Sequence, residues 1–162
     1  MGTLTIRTPK AHSPKQRLIM NSLLLEGVTE VWIAMGTKFG KTIGASSAMT
    51  AAFPLKTQAL YRWIAPIYKQ SEIGYNIIRK MLPGKPYFTF NERGPMISVP
   101  SKDTRLQFFH GQYPESLEGE ATAGNVLDEA AKMKEAVYAA VKTTTGVTKG
   151  PIVLISTPFG KN

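Results

Sequence analysis

The sequence predicts an α/β domain: a mostly parallel β-sheet with helices on both faces and an antiparallel insertion at about residues 84–110. Short, nearly all-apolar runs such as Glu30–Ala34, Leu60–Ile64 and Pro151–Ile155 have the length and composition of strands buried on both faces. Helical patterns alternate with those runs, as crossover connections between parallel strands require. Between residues 87 and 110 the pattern changes to apolar/polar alternation broken by Asn/Gly/Pro and Ser/Lys/Asp turns, which marks antiparallel strands.

Taken in order, Ser13-Pro14-Lys15-Gln16 opens a helix running to Leu25, with Ser13 as N-cap, Pro14 at the first helical position and Gln16 placed to bond back to the Ser13 backbone. Glu30–Ala34 is a strand, and Met35 to Gly40 a glycine-bearing turn. Lys41 to about Ala52 is a helix of small residues, leading to a strand at Leu60–Ile64 that Pro66 stops. Tyr68–Leu82 is helical. Tyr87–Asn91, Met96–Val99 and Arg105–His110 form the antiparallel set, after which a loop rich in Gly and Glu reaches a strand at Gly124–Leu127. A helix at about Lys132–Lys142 and a strand at Pro151–Ile155 complete the pattern. Trp32, Tyr61 and Trp63 read as core or half-buried packing, and Met81, Met96 and Met133 as gap-fillers.

With 162 residues, a net charge of +9, no cysteine and 43% hydrophobic residues, the composition excludes disorder, a disulfide scaffold and a collagen-like repeat. The missing thiols remove Cys-ligated zinc and Cys nucleophiles. His12 and His110 stand isolated, so any metal is expected on oxygen ligands. No apolar stretch is long enough to span a bilayer and the N-terminus lacks a signal-peptide core, which predicts a cytosolic protein without membrane contact. Residues 1–110 hold fifteen Lys and Arg against five acids, whereas residues 111–162 hold five against six. Such a surplus suits a polyanionic partner. Arg79, Lys80, Lys85, Arg93, Lys102 and Arg105 contribute to it, but they form no stripe with stacking aromatics and read as a solvated face.

The motif richest in chemistry is Gly36-Thr37-Lys38-Phe39-Gly40-Lys41-Thr42, between a strand and a helix. A glycine turn there aims backbone N–H groups at phosphate oxygens, Lys41 reaches the β/γ-phosphates, and the Thr42 hydroxyl can ligate Mg²⁺. The full pattern has glycine where this chain has Met35; the competing reading is an ordinary glycine turn before a helix. Val126-Leu127-Asp128-Glu129-Ala130 runs from a strand into two acids, Asp128 to hold Mg²⁺ through water and Glu129 to orient or deprotonate an attacking water. Alternatively both acids sit at the N-terminus of the next helix, where negative charge is favoured. Ser156 and Thr157 end the last strand beside that Mg²⁺ position and can sense the γ-phosphate, or they simply begin a Pro/Gly turn. Gln16 offers an amide to the edge of adenine, in competition with its capping role.

In this order the motifs resemble the ATPase domain of the large terminase subunit, the DNA-packaging motor of tailed bacteriophages. The resemblance covers about Ser13 to Asn162. It rests on Pro14-Lys15-Gln16-Arg17 as adenine motif, Gly36 to Thr42 as Walker A, Trp63-Ile64-Ala65-Pro66-Ile67-Tyr68-Lys69-Gln70, Ser116-Leu117-Glu118-Gly119-Glu120, Val126 to Ala130 as Walker B, and Ser156-Thr157-Pro158-Phe159-Gly160-Lys161-Asn162 as coupling motif. It implies an additional-strand, RecA-like P-loop NTPase fold and ATP hydrolysis with Mg²⁺ that translocates double-stranded DNA into a procapsid in the host cytoplasm. It also implies a portal protein and a small terminase subunit as partners, and a ring formed on the procapsid. By the same resemblance Gln16 and Gly36, Thr37, Lys38, Phe39, Gly40, Lys41 and Thr42 bind ATP, Thr42 and Asp128 hold Mg²⁺, Glu129 is the hydrolytic base, and Ser156 and Thr157 couple.

Two positions depart from the family. Thr37 and Glu118 stand where terminases often carry an arginine that stabilises the transferring phosphoryl group. Lys38 is the candidate substitute for the first and Arg105 for the second, so slow turnover is expected. Family members continue into further ATPase elements and a nuclease domain, which makes residues 1–162 an ATPase piece without expected nuclease activity. The competing functions are a helicase-type ATPase lobe and a DNA-binding module with a vestigial ATP site.

Overall fold

The computed structural model describes residues 5–158. Ser13 starts α1 (Pro14–Asn21) in extended conformation, its hydroxyl accepting from Gln16 N–H, with Pro14 at the first position. The helix ends at Asn21, before the expected Leu25, because the buried Ser22 hydroxyl donates to Ile19 O and the Ser22 N–H bonds the same carbonyl. There follow β1 (Glu30–Ala34), α2 (Lys41–Ala52), β2 (Leu60–Ala65), α3 (Tyr68–Met81), β3 (Thr89–Asn91), β4 (Met96–Val99), β5 (Thr104–His110), β6 (Gly124–Asp128), α4 (Glu135–Thr145) and β7 (Ile152–Ser156).

The seven strands form one sheet in the order β1-β7-β6-β2-β5-β4-β3. The pairs β1/β7, β7/β6, β6/β2 and β2/β5 are parallel, while β5/β4 and β4/β3 are antiparallel. This is the predicted class, with one correction: β5 belongs to the parallel sheet as well as to the antiparallel insertion. Both its faces are covered, Leu106 and Phe108 by the α3 side and Phe109 by the other. Alternation in its sequence reflects Arg105 and Gln107, half-buried on the second face, where Arg105 pairs with the exposed Glu120 and Gln107 accepts from the buried Arg62.

Along the parallel strands successive side chains enter opposite cores, as a period of two dictates. Tyr61, Trp63, Val126, Val153 and Ile155 join the cluster under α1, α2 and α3, whereas Ile64, Leu127, Ile152 and Leu154 join the one under α4. That is why these runs read as continuously apolar. Helix α3 approaches β2 closely because Gly74 has no side chain: a Cβ there would lie 2.5 Å from Trp63 Nε1. Tyr61 and Trp63 are core, as expected, but Trp32 is 66% exposed on the outer face of β1, against Tyr138.

The parallel strands place the ends of β1, β6 and β7 along one carboxyl edge, where ligands of such sheets bind. Residues 111–123 return across the α4 face from that edge, where Gly111 N–H donates to Ala65 O, to the amino edge, where Ala123 N–H donates to Leu60 O. Among the described residues no helix is long and apolar enough to cross a membrane.

Candidate functional site

After β1 the chain turns through Gly36–Gly40, with Lys38 at φ 65° and Gly40 at φ 73° in the left-handed region. Gly40 caps α2 without a side chain, so the first N–H groups of that helix stay free of side-chain acceptors. Glycine is required at this point on two counts. Its φ disfavours any Cβ, and a Cβ there would lie 2.5 Å from Gln16 Nε2. Gln16 is thus buried beneath the turn, and its Oε1 accepts from His12 N–H at 2.6 Å rather than from Ser13, which corrects half of the expected capping box. The oxygen that would accept from adenine is already engaged by His12.

Lys41, 7% exposed, donates from Nζ to Met35 O at 2.8 Å, Gly36 O at 2.8 Å and Thr157 Oγ1 at 3.0 Å. All three ammonium protons are therefore held at the mouth of the loop. Thr42 Oγ1 lies 3.4 Å from Asp128 Oδ2, to which it donates. Asp128 is buried, and desolvation first, then the neighbouring Glu129 charge, push its carboxyl up to about 6, against smaller opposing effects of the Glu129 N–H, Thr42 and Lys41. Thr37, Lys38 and Phe39 are exposed on the loop, and the Phe39 ring folds back over Gly36.

The two acids are not the first residues of a helix. Asp128 ends β6; Glu129, at φ 56°, opens a 3-10 turn (Ala130–Lys132), and α4 begins only at Glu135, later than the expected Lys132. The α4 dipole therefore does not account for the acid pair. Glu129 Oε2 is shielded from solvent and has no hydrogen-bond partner among the described residues, although Lys132 Nζ stands 3.5 Å away. Ser156 links the two turns: its Oγ accepts from Ala131 N–H at 3.2 Å and its backbone O from Met35 N–H at 3.1 Å. With Thr157 on Lys41, both residues expected to couple touch the segments that carry Lys41 and Glu129. Phe159, Gly160, Lys161 and Asn162 of that motif lie outside the described residues.

Arg105 is not in the site. Its register partner is Leu60 at the start of β2, so it occupies the amino edge of the sheet, paired with Glu120 at 2.6 Å. This removes it as a candidate for the missing arginine. Glu118 is exposed on the segment descending toward the same edge, one residue after Leu117. The basic set is partly engaged too: Arg79 is neutralised by Glu92, and Lys102, still charged, donates to Pro54 O at 2.6 Å. Sequence reasoning passed over Arg62, which is buried in β2, donates to Leu117 O at 2.5 Å and stacks on Phe109 at 5.1 Å. Its signal was an arginine inside an apolar run. Lys132 was missed as well.

Two hard oxygens, the Thr42 hydroxyl and the Asp128 carboxylate, suit Mg²⁺, which takes one or two protein ligands and completes its shell with water and phosphate. Among the described residues no group of three or more His, Asp or Glu forms an all-protein metal cage. The desolvated carboxylate of Asp128, met only by a long hydroxyl contact and one N–H, fits a cation that arrives with a nucleotide.

The sheet order, with a glycine loop at the end of β1, is that of a P-loop NTPase fold. The chain's fold is that of large terminase ATPase domains. It matches the Thermus phage P74-26 large terminase ATPase domain with a TM-score of 0.71 at 21% identity, covering 89% of this chain and 65% of that one. The HK97 bacteriophage large terminase matches with a TM-score of 0.76 at 16% identity, over 92% of this chain and 33% of that one. The large terminase of a thermophilic bacteriophage, in complex with ADP, matches at 0.70 and 14% identity, over 89% of this chain and 38% of that one. The chain thus spans less than two thirds of the length of each. No protein-family model and no curated protein matches the sequence.

Proposed function

We propose that this chain binds and hydrolyses ATP as the core of a DNA-packaging motor of the large-terminase type. The observation that carries the proposal is the convergence of Lys41, Thr42, Asp128 and Thr157 within hydrogen-bond reach at one sheet edge. Double-stranded DNA as the translocated substrate, the portal and small subunit as partners, the ring and the host cytoplasm follow from the fold likeness and stand as part of the same proposal.

In this reading the N–H groups of Gly36 to Thr42 bind phosphate oxygens, which replace Met35 O and Gly36 O as acceptors for Lys41. Thr42 Oγ1 and the Asp128 carboxylate would hold Mg²⁺, directly or through water, and the ion would supply charge neutralisation to the phosphates. Glu129 Oε2, free of hydrogen bonds, accepts the proton of the attacking water. Lys38, exposed on the loop, gives the γ-phosphate a point charge where an arginine would give a bidentate fork, and turnover is correspondingly slow. Gln16 braces Gly40 from below with Nε2 toward that glycine, and this amide nitrogen is the group it has left to offer adenine. Thr157 and Ser156 report the departure of Lys41 from its resting contacts to the turn that bears Glu129.

Isothermal titration with Mg²⁺ and a nonhydrolysable ATP analogue, paired with a turnover assay, tests this. Micromolar binding that Lys41→Ala abolishes, with Glu129→Gln binding normally but losing at least about a hundredfold in turnover, is the expected result. No binding by the unaltered chain would leave only a DNA-binding module.

A further inference from the structure

Gln16 is locked in place. It is 5% exposed and lies between α1 and α2, where a Cβ on Gly44 would stand 3.7 Å from its Cγ and one on Gly40 2.5 Å from its Nε2. Only the carbonyl half of the amide can accept from His12 N–H, at 2.6 Å, so Oε1 faces His12 and Nε2 faces Gly40. Nε2 has no acceptor among the described residues. What the amide has left for a ligand is a donor alone.

The edge of adenine asks for more than that. It carries an acceptor at N7 and an amino donor at N6, and a glutamine reads it by serving both. The other acceptors beside Gln16 are engaged as well: Ser13 Oγ takes Gln16 N–H at 3.1 Å, Ser13 O takes Arg17 N–H at 3.0 Å and Gly40 O takes Gly44 N–H at 2.8 Å. No carboxylate from this segment stands in, since no Asp or Glu precedes Glu26, whereas Lys10, Lys15 and Arg17 are exposed donors on either side of the glutamine in sequence. Guanine differs from adenine at the same edge by an acceptor, O6, in place of the amino group. A donor alone therefore fits N7 of either purine and O6 of guanine, and leaves N6 of adenine to water.

We propose that the nucleotide site takes GTP as readily as ATP: Gln16 reads purine N7 and, because His12 N–H holds its oxygen, does not read the 6-substituent that separates the two bases. The inference rests on the ATPase reading above and widens its substrate from ATP to purine nucleoside triphosphates. Lys41, Thr42 and Asp128 serve the triphosphate, which the two nucleotides share.

Titration calorimetry with Mg²⁺ and ATP, GTP, inosine triphosphate or 7-deaza-ATP tests this on Glu129→Gln, which keeps the triphosphates intact, and steady-state kcat/KM for ATP and GTP gives the same ratio in the unaltered chain. GTP and inosine triphosphate are expected within about threefold of ATP, and 7-deaza-ATP, which lacks the N7 acceptor, about two- to tenfold weaker, the worth of one hydrogen bond. His12→Pro removes the N–H that holds Oε1, and the freed acceptor should shift the ratio toward ATP by about two- to tenfold. A larger preference for ATP without that substitution, equal affinity for 7-deaza-ATP, or an unchanged ratio in His12→Pro overturns the proposal. Should His12→Pro fail to fold, the ratio of ATP to GTP with His12 in place decides alone. Absence of binding by every triphosphate overturns the ATPase reading together with it, whereas tight binding confined to ATP keeps that reading and removes only this one.

Discussion

At the residue scale the site is held by groups that satisfy one another unequally. Lys41 spends its three protons on two loop carbonyls and Thr157. Asp128 is less well compensated: its carboxyl, pushed up to about 6 by burial and by Glu129, sits above its ordinary value of 3.8. An acid raised in the folded state contributes stability that is fully present below the unfolded value and is lost as pH rises through the folded one. In the metal-free chain this loss falls between about pH 4 and 6 and amounts to roughly 3 kcal/mol. Asp128→Asn should remove it, so the urea-unfolding free energy of that variant relative to the parent rises across the same window and levels off above it. Because Mg²⁺ needs the ionised carboxylate, the affinity for Mg²⁺-nucleotide of the unaltered chain should fall by up to tenfold per pH unit below about 6, measured by titration calorimetry.

At the element scale, the loop and α2 work because a glycine joins them. Gly40→Ala puts a Cβ into a left-handed backbone and 2.5 Å from Gln16 Nε2. We expect a loss of about 1–3 kcal/mol in stability, from strain and displacement of a buried amide, and a matching drop in nucleotide affinity, read by urea denaturation and calorimetry on the same preparation. Other element boundaries show where local patterns fall short. The small-residue helix and β1 were legible because periodicity and the glycine turn agree. The end of α1 was not, because Ser22 turns its hydroxyl back on the helix only once it is buried. Likewise α4 begins at Glu135, since residues 129–132 are taken up by a turn tied to Ser156, a partner remote in sequence.

At the scale of the whole molecule, parallel strands with crossover helices put the ends of β1, β6 and β7 side by side, so that residues 36–42, 128–129 and 156–157 meet although Lys41 and Thr157 are 116 positions apart. A ligand that bridges these segments should stabilise the domain as a unit. Mg²⁺ with a nonhydrolysable ATP analogue at about a hundred times Kd is expected to add roughly 2.7 kcal/mol, about 5–10 °C in thermal midpoint for a domain of this size. Lys41→Ala should show no such shift in differential scanning fluorimetry. By itself the sequence determined the α/β class, the glycine turn between β1 and α2, the acid pair at the end of β6 and the order of the elements, because hydrophobic period, glycine placement and charge are local properties of the chain. Only the tertiary structure decided that β5 pairs parallel to β2, that Arg105 lies at the far edge of the sheet, that Trp32 faces outward and that Lys132 stands against Glu129. The reason is physical: strand pairing, burial and the reach of a side chain depend on which elements pack together, and that is settled by contacts between residues distant in sequence.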